Sequence, residues 1–244
     1  MKRYFFLALV SLLLMASSCQ QKNAATAAPA TAPLAEALPD APFDTEVPPA
    51  TISDALPNRA VSGPALVYLV DKEASRIAWE GREILTRHNG TIGINGGKLL
   101  VVGERLAGGK VEIDMNSIVN LDITKPEKNA DLVNHLKSDD FFGVQEFPTA
   151  ALEILEVKST DGGKFLVTAN LTLRDVTNLV VFPASISIKN NQLAATAIFS
   201  IDRSKWNVRF NSSSFFENLG DEAILDEIKL AIELRATAPP TAMR

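Results

Sequence analysis

Two histidines, a single cysteine and an unusual set of aromatic residues are the side chains of this 244-residue chain that could do chemistry. His88 and His135 are the histidines, with Asp114, Asp139 and Asp140 as available carboxylates. A two-histidine metal site normally has a recognisable local spacing, such as His-x-x-x-His on one helix face, and neither histidine has it. No serine stands in a nucleophile-elbow setting, and nothing after residue 19 is a cysteine. Gly90, Gly93, Gly96 and Gly97 resemble a phosphate-cradling loop, but Gly97-Lys98 is followed by Leu99 where the motif needs Ser or Thr. In a strand-rich stretch such glycines mark a turn or a bend. These residues point to no enzyme, no metal and no cofactor. His88 reads as a strand-start residue bonded to backbone or as a ligand contact. His135 reads as a cation favourably placed at a helix C-terminus.

Phe141, Phe142, Phe147, Trp206, Phe215 and Phe216 lie in connections where polar residues are expected. Aromatic side chains combine large apolar area with few rotamers. They suit either the lining of an apolar cavity or an ordinary core that plugs the end of a fold. Arg203, Arg174 and His88 are the donors that could meet a ligand headgroup, Arg being suited to bidentate contact with phosphate. Pairing of Arg203 with Asp202 or a neighbouring carboxylate is an equally open reading.

Cys19 follows a leader with the three parts of an export signal: Lys2-Arg3, an apolar run from Tyr4 to Ala16, and small residues Ala16-Ser17-Ser18. The run is short of the roughly 20 residues a spanning helix needs. A lone thiol cannot close an internal disulfide, so Cys19 is expected to carry lipid, with residues 1–18 removed as a lipoprotein signal peptide. Residues 19–64 contain eight of the 13 prolines and are rich in Ala and Thr. They read as a flexible tether spanning roughly 35–40 Å root-mean-square. Ordinary signal cleavage with a free thiol left over is the alternative.

Residues 65–236 are long enough for one domain with a sizeable core, followed by a tail at 237–244. The net charge of -5 and the absence of basic runs argue against a nucleic-acid partner. Period-two alternation is strong in Phe165–Arg174, Val180–Lys189, Leu193–Ile201 and Ile228–Arg235, with Asp161-Gly162-Gly163 and Asn190-Asn191 as turns. Earlier strands are expected at Leu66–Val70, Arg76–Leu85, Gly90–Val102 and Lys110–Ser117. One helix is expected from Pro126 to near Lys137, with Ala130, Leu132, Val133 and Leu136 on one face. Eight strands joined by short turns predict an all-β, antiparallel meander closed into a barrel. Such a barrel is just wide enough to be filled by side chains or to hold one small ligand.

A set of short motifs sharpens this reading. Trp79-Glu80-Gly81, Arg87-His88-Asn89-Gly90-Thr91-Ile92, Val111-Glu112-Ile113-Asp114-Met115 and His135–Phe142 occur in that order, followed by Phe147-Pro148, Leu171–Thr177 and Ile201–Trp206. In order and spacing over Val67 to Arg235 the chain resembles the YceI-like family of exported, lipocalin-like lipid-binding proteins. The resemblance implies an extended eight-stranded barrel with a long apolar tube for an isoprenoid or fatty-acyl chain. Taken with the aromatic cluster and the candidate donors, the ligand site is expected to draw on His88, Phe141, Phe142, Phe147, Arg203 and Trp206. Two features depart from the family: Asp175 where Gly is usual, and a longer segment at Ser204–Leu219. The expected protein is a carrier or sensor anchored through Cys19 to a bacterial membrane, outside the cytoplasm; a homodimer is compatible with it. The alternative is a filled barrel that docks another envelope protein near Phe215-Phe216.

Overall fold

The computed structural model describes residues 42–58 and 60–239. Cys19, the leader and the first part of the expected tether lie outside the described residues. Ten strands and one longer helix are formed: β1 (Thr51–Asp54), β2 (Leu66–Val70), β3 (Arg76–Glu83), β4 (Arg87–Val102), β5 (Arg105–Asn120), α1 (Pro126–Lys137), β6 (Thr149–Ser159), β7 (Phe165–Leu173), β8 (Val176–Lys189), β9 (Gln192–Asp202) and β10 (Ile224–Thr237). Strands β3 to β10 pair each with the next, all antiparallel, and β10 returns to β3. Closure leaves this eight-membered ring without a free edge.

The count of eight matches the expectation, but the strands are not the same eight. β2 and β3 share one place in the ring: both lie between β4 and β10, against Lys98–Val101 and Arg87–Ile92 respectively. The missing member is β6. Its register shifts between Ile154 and Glu156, so Leu155 is the extra residue of a bulge and the alternation changes phase there. The surrounding Ala, Leu and Glu residues are helix formers, which hides the strand further.

Inside, the barrel has two unlike halves. One end carries the β4–β5, β6–β7 and β8–β9 turns. There Leu99, Val101, Val180, Leu193, Phe182 and Ala236 are buried in a filled core. At the other end β10 is telling. Ile228, Leu230 and Ile232 point inward yet stay partly accessible, while outward Ala231 is fully buried. The inward residues face a cavity, and the outward one is covered by the chain's own N-terminal segment.

That segment corrects the tether. Phe43 and Val47 bury against Ala231, with Ala78 and Ile198 beside them. Ala50 and Ser200 then bond backbone to backbone, and β1 pairs with β8 from Thr51↔Val181 to Asp54↔Asn178. Proline content argued for mobility, but Phe43, Val47 and Ile52 supply enough apolar area to seat a strap, and the Asn170 side chain bonds the Leu56 amide and carbonyl beyond it. The expected helix is found at its expected bounds, Pro126–Lys137.

The glycine series lies within β4, where register shifts between Thr91 and Gly93 and between Ile94 and Gly96 bend the strand. Gly90 pairs with Trp79, and a Cβ there would stand 1.8 Å from the Val119 carbonyl oxygen and 2.7 Å from the indole. Gly81 has nothing within 4 Å of the same position. Gly90→Ala should therefore cost about 3 kcal/mol in urea unfolding, whereas Gly81→Ala should shift stability by less than about 0.5 kcal/mol.

Candidate functional site

The accessible half of the barrel holds a cavity of about 130 Å³. Alternation places its walls: Ile77 and Trp79 come from β3, Ile113 and Met115 from β5, Leu171 from β7 and Leu230 from β10. Phe199 closes the floor, stacked on Phe182 of the filled half with ring centroids 4.2 Å apart. Helix α1 forms the roof through Leu132 and Leu136, continued by Phe141 and Phe142. The lining reaches half-exposed residues at Gly81, Glu83 and His88, so the mouth lies beside the β3–β4 hairpin. The filled-barrel alternative does not fit this half.

The roof is held by polar contacts at its margins. No residue of α1 is fully buried. Its start is tied down by Asn129, which donates to the Asn120 and Ile123 carbonyl oxygens at 3.0 Å each. Its last turn is fixed by Lys137, which donates to the Asn116 carbonyl oxygen at 2.7 Å. Ser138 Oγ donates to the His135 carbonyl oxygen at 2.8 Å. Arg174, in the left-handed region at φ 55°, donates to the Asp139 and Phe141 carbonyl oxygens. The left-handed residue of this turn is thus Arg174, one before Asp175.

His88 lies at the mouth with its Nδ1 2.8 Å from Asp122 Oδ2. Asp122 Oδ1 also accepts from the Asn89 amide and from Asn120 Nδ2. Burial works against the Asp122 charge, but the Asn89 amide, His88 and Asn120 hold its pKa below the ordinary 3.8. With Nδ1 directed at a carboxylate, Nε2 is the ring nitrogen left to meet a ligand.

Of the six residues expected to bind ligand, His88, Phe141, Phe142 and Arg203 line the cavity. Arg203 cannot act as a free headgroup donor. It is 1% exposed, and its guanidinium donates to the carbonyl oxygens of Leu225, Val208, Phe210 and Ile224 at 2.8–3.2 Å. Its carboxylate partner is Asp226, at 3.4 Å. Asp202 instead caps the following turn through Ser204. Burial lowers the Arg203 pKa, with Asp226 and Asp202 opposing. Trp206 is fully buried outside the lining and donates from Nε1 to the Leu171 carbonyl oxygen at 2.9 Å. Phe147 also stands outside the lining, with the Arg174 guanidinium 5.6 Å from its ring centre. His135 has Asp140 at 3.4 Å and packs edge-on against Phe141 and Phe210. The wall residues Ile113, Met115, Leu171 and Leu230 were not among the expected contacts, although strand alternation marks them as inward.

With this geometry in place, comparison with known proteins is decisive for family. The YceI-like domain model matches residues 68–236. The chain belongs to the YceI-like domain family. Among relatives in sequence, a UPF0312 protein of Azotobacter vinelandii is 42% identical over 67 residues, 27% of this chain and 35% of that protein. A UPF0312 protein of Photorhabdus laumondii is 36% identical over 69 residues, 28% of this chain and 33% of its own length. The chain thus aligns with about a third of each relative. In structure, the YceI-like domain is similar to Burkholderia cenocepacia BcnA, with TM-score 0.51, 16% identity, and 69% of this chain and 99% of that one covered. It is equally similar to a polyisoprenoid-binding domain from Saccharophagus degradans implicated in plant cell wall breakdown, with TM-score 0.52, 14% identity, and 71% and 99% covered. At these identities the likeness is one of fold.

Two outcomes are expected at this end of the YceI-like domain. Arg203→Met should cost about 3–5 kcal/mol, because it strips four carbonyls of their donor and leaves the partly buried Asp226 without its cation. Urea unfolding of Arg203→Met/Asp226→Leu should show part of that loss recovered. Asp122→Ala should be less stable than the parent near neutral pH. Since the folded-state pKa of Asp122 is depressed, the difference should close as pH falls through and below the ordinary value of 3.8. Melting temperatures across pH 2–7 would check this.

Proposed function

We propose that this chain is an extracytoplasmic carrier or sensor for a long-chain lipid, a polyisoprenoid or fatty-acyl compound, anchored to a bacterial membrane through Cys19. The observation that carries the reading is the apolar cavity in one half of a closed barrel, roofed by α1 and open beside His88. Family membership supports it, and so does the fold shared with a Saccharophagus degradans domain named for polyisoprenoid binding. The mechanism is equilibrium burial. Each methylene moved from water into the cavity contributes about 0.8 kcal/mol, and the pre-formed walls limit the ordering cost. The chain enters toward Phe199, and the polar end stays at the mouth near His88. No bond is made or broken.

Native mass spectrometry of freshly purified and delipidated protein tests this. The expected result is a co-purifying long-chain adduct that delipidation removes and offered isoprenoid or fatty acid restores. Gly81→Leu, whose side chain extends into the open space at the mouth, should fold normally and weaken uptake roughly tenfold, equivalent to about 1.4 kcal/mol. His88→Ala should have a smaller effect, consistent with one hydrogen bond of about 1 kcal/mol. A protein that arrives empty and takes up neither class of lipid would overturn the reading. Retention of Cys19→Ser in the membrane fraction would remove the anchor from it.

A further inference from the structure

The tip of the β3–β4 hairpin is chemically out of place. At the far end of the barrel the turns are polar: Gly103-Glu104, Asp161-Gly162-Gly163 and Asn190-Asn191. At the mouth the corresponding tip is Ile84-Leu85-Thr86, with Ile84 51% and Leu85 76% exposed. Leu121, 65% exposed, is fixed to the neighbouring strand by its amide, which donates to the Asn89 carbonyl oxygen. Phe215 and Phe216 are exposed in the β9–β10 connection at the same end, and the Arg209 guanidinium lies 4.3 Å from the Phe215 ring centre. An apolar rim of this kind around a cavity entrance is normally an interaction surface.

The path of the chain identifies what it meets. Asp44, at the start of the described strap, lies 4.0 Å from Arg87, two residues beyond Leu85. The described chain therefore begins beside the mouth. Twenty-two residues lie between Cys19 and Pro42, a span of at most about 80 Å of chain. Arg82 and Arg87 flank the tip on one strand each, with Glu83 between Arg82 and Ile84. Such mixed charge favours apolar insertion over simple attraction to anionic headgroups.

We propose that Ile84 and Leu85, with Leu121 and the Phe215-Phe216 pair, form a bilayer-docking rim. It seats the cavity mouth at the membrane surface, so that a lipid chain passes between bilayer and barrel with little exposure to water. The inference rests on the proposed function, on its Cys19 anchor for the choice of a bilayer and on its carrier reading for the ligand.

Cys19 is the only cysteine, so the full chain carrying Cys19→Ser accepts single labels. An environment-sensitive dye at Leu85→Cys should shift to the blue on addition of phosphatidylethanolamine–phosphatidylglycerol vesicles, and should keep that shift in 0.5 M salt. The same dye at Asn190→Cys, or at Leu69→Cys on the exposed β2 wall, should not respond. Ile84→Asp/Leu85→Asp should reduce vesicle partition at least tenfold while keeping the parent's urea midpoint. The variant should also bind a fluorescent fatty acid offered in water as the parent does, yet extract it from vesicles at least tenfold more slowly. A silent Leu85 label, or a response at Leu69 in its place, would overturn the docking rim. A response at Leu85 supports it even if the aqueous fatty acid is refused, and that refusal would count against the carrier reading alone.

Discussion

The buried guanidinium of Arg203 is the constraint on which the open half of the barrel depends. The connection from Arg203 to Ala223 is long and irregular, and a single backbone bond joins its two limbs, the Ile224 amide donating to the Asn211 carbonyl oxygen. Arg203 satisfies carbonyls from both of its limbs, Val208 and Phe210 on one side and Ile224 and Leu225 on the other. Its charge is met by Asp226, which also accepts from Ser212 and Ser214. The guanidinium lies 5.6 Å from the centre of the Phe141 ring, which ties the connection to the roof segment after α1. A cation is expensive to bury unless each donor finds a partner. Here the partners are the carbonyls of a loop that would otherwise be free to fall into the cavity. The same network that stabilises the loop holds it at the cavity's edge, where Arg203, Ile224 and Leu225 join the lining.

The roof is built differently, and the contrast bears on function. Arg203 sits under a wall with almost no exposure, whereas α1 buries no residue completely and is fastened at its margins through Asn129, Lys137 and Arg174. Elements with few buried apolar contacts open at lower free energy than the core they cover. A rigid wall opposite a lightly held roof is the arrangement a binding cavity needs if its ligand is larger than its mouth. The stacked Phe182–Phe199 pair sets the depth, because the filled half beyond it leaves no room for further descent.

Much of this was legible in the sequence, and the failures have definite physical causes. Alternation located β7 to β10, and Pro126 with an amphipathic stretch located α1, because those elements follow local rules. β6 escaped because a bulge reverses the phase at Leu155. β2 and β3 read as two strands because the chain breaks at Asp71–Ser75 while occupying one place in the ring, a fact of tertiary pairing alone. The site was half legible. Phe141 and Phe142 were marked by their unexpected position, and His88 by its motif. For Arg203 two readings stayed open, headgroup donor and ion pair with a nearby carboxylate, because its carbonyl partners come from backbone whose identity leaves no trace in side-chain types. Nor could alternation separate hollow from filled: Leu230 and Leu193 have the same pattern, and only the volume enclosed by all eight strands distinguishes their surroundings.

The strap changes the physical meaning of the N-terminal region. Composition made residues 19–64 one uniform linker, yet Phe43 to Asp54 is bound along the barrel and lies ahead of the region matched by the family model. It adds a strand beside β8 and covers Ala231 on the outer wall opposite the cavity-facing Leu230 and Ile232. On the anchored reading, about 23 residues in place of about 45 roughly halve the greatest distance the chain can span and raise the effective concentration of the mouth at the membrane. The strap also sets where the described chain begins, with Asp44 beside Arg87. A tether leaving from the filled end would have to pass the whole barrel before the mouth could touch the bilayer, whereas one leaving beside Arg87 needs no such detour. On the anchored reading, anchor, strap and the proposed rim would act in the same direction: each would make the orientation with the mouth toward the membrane more populated, and none of them needs to alter the affinity of the cavity itself.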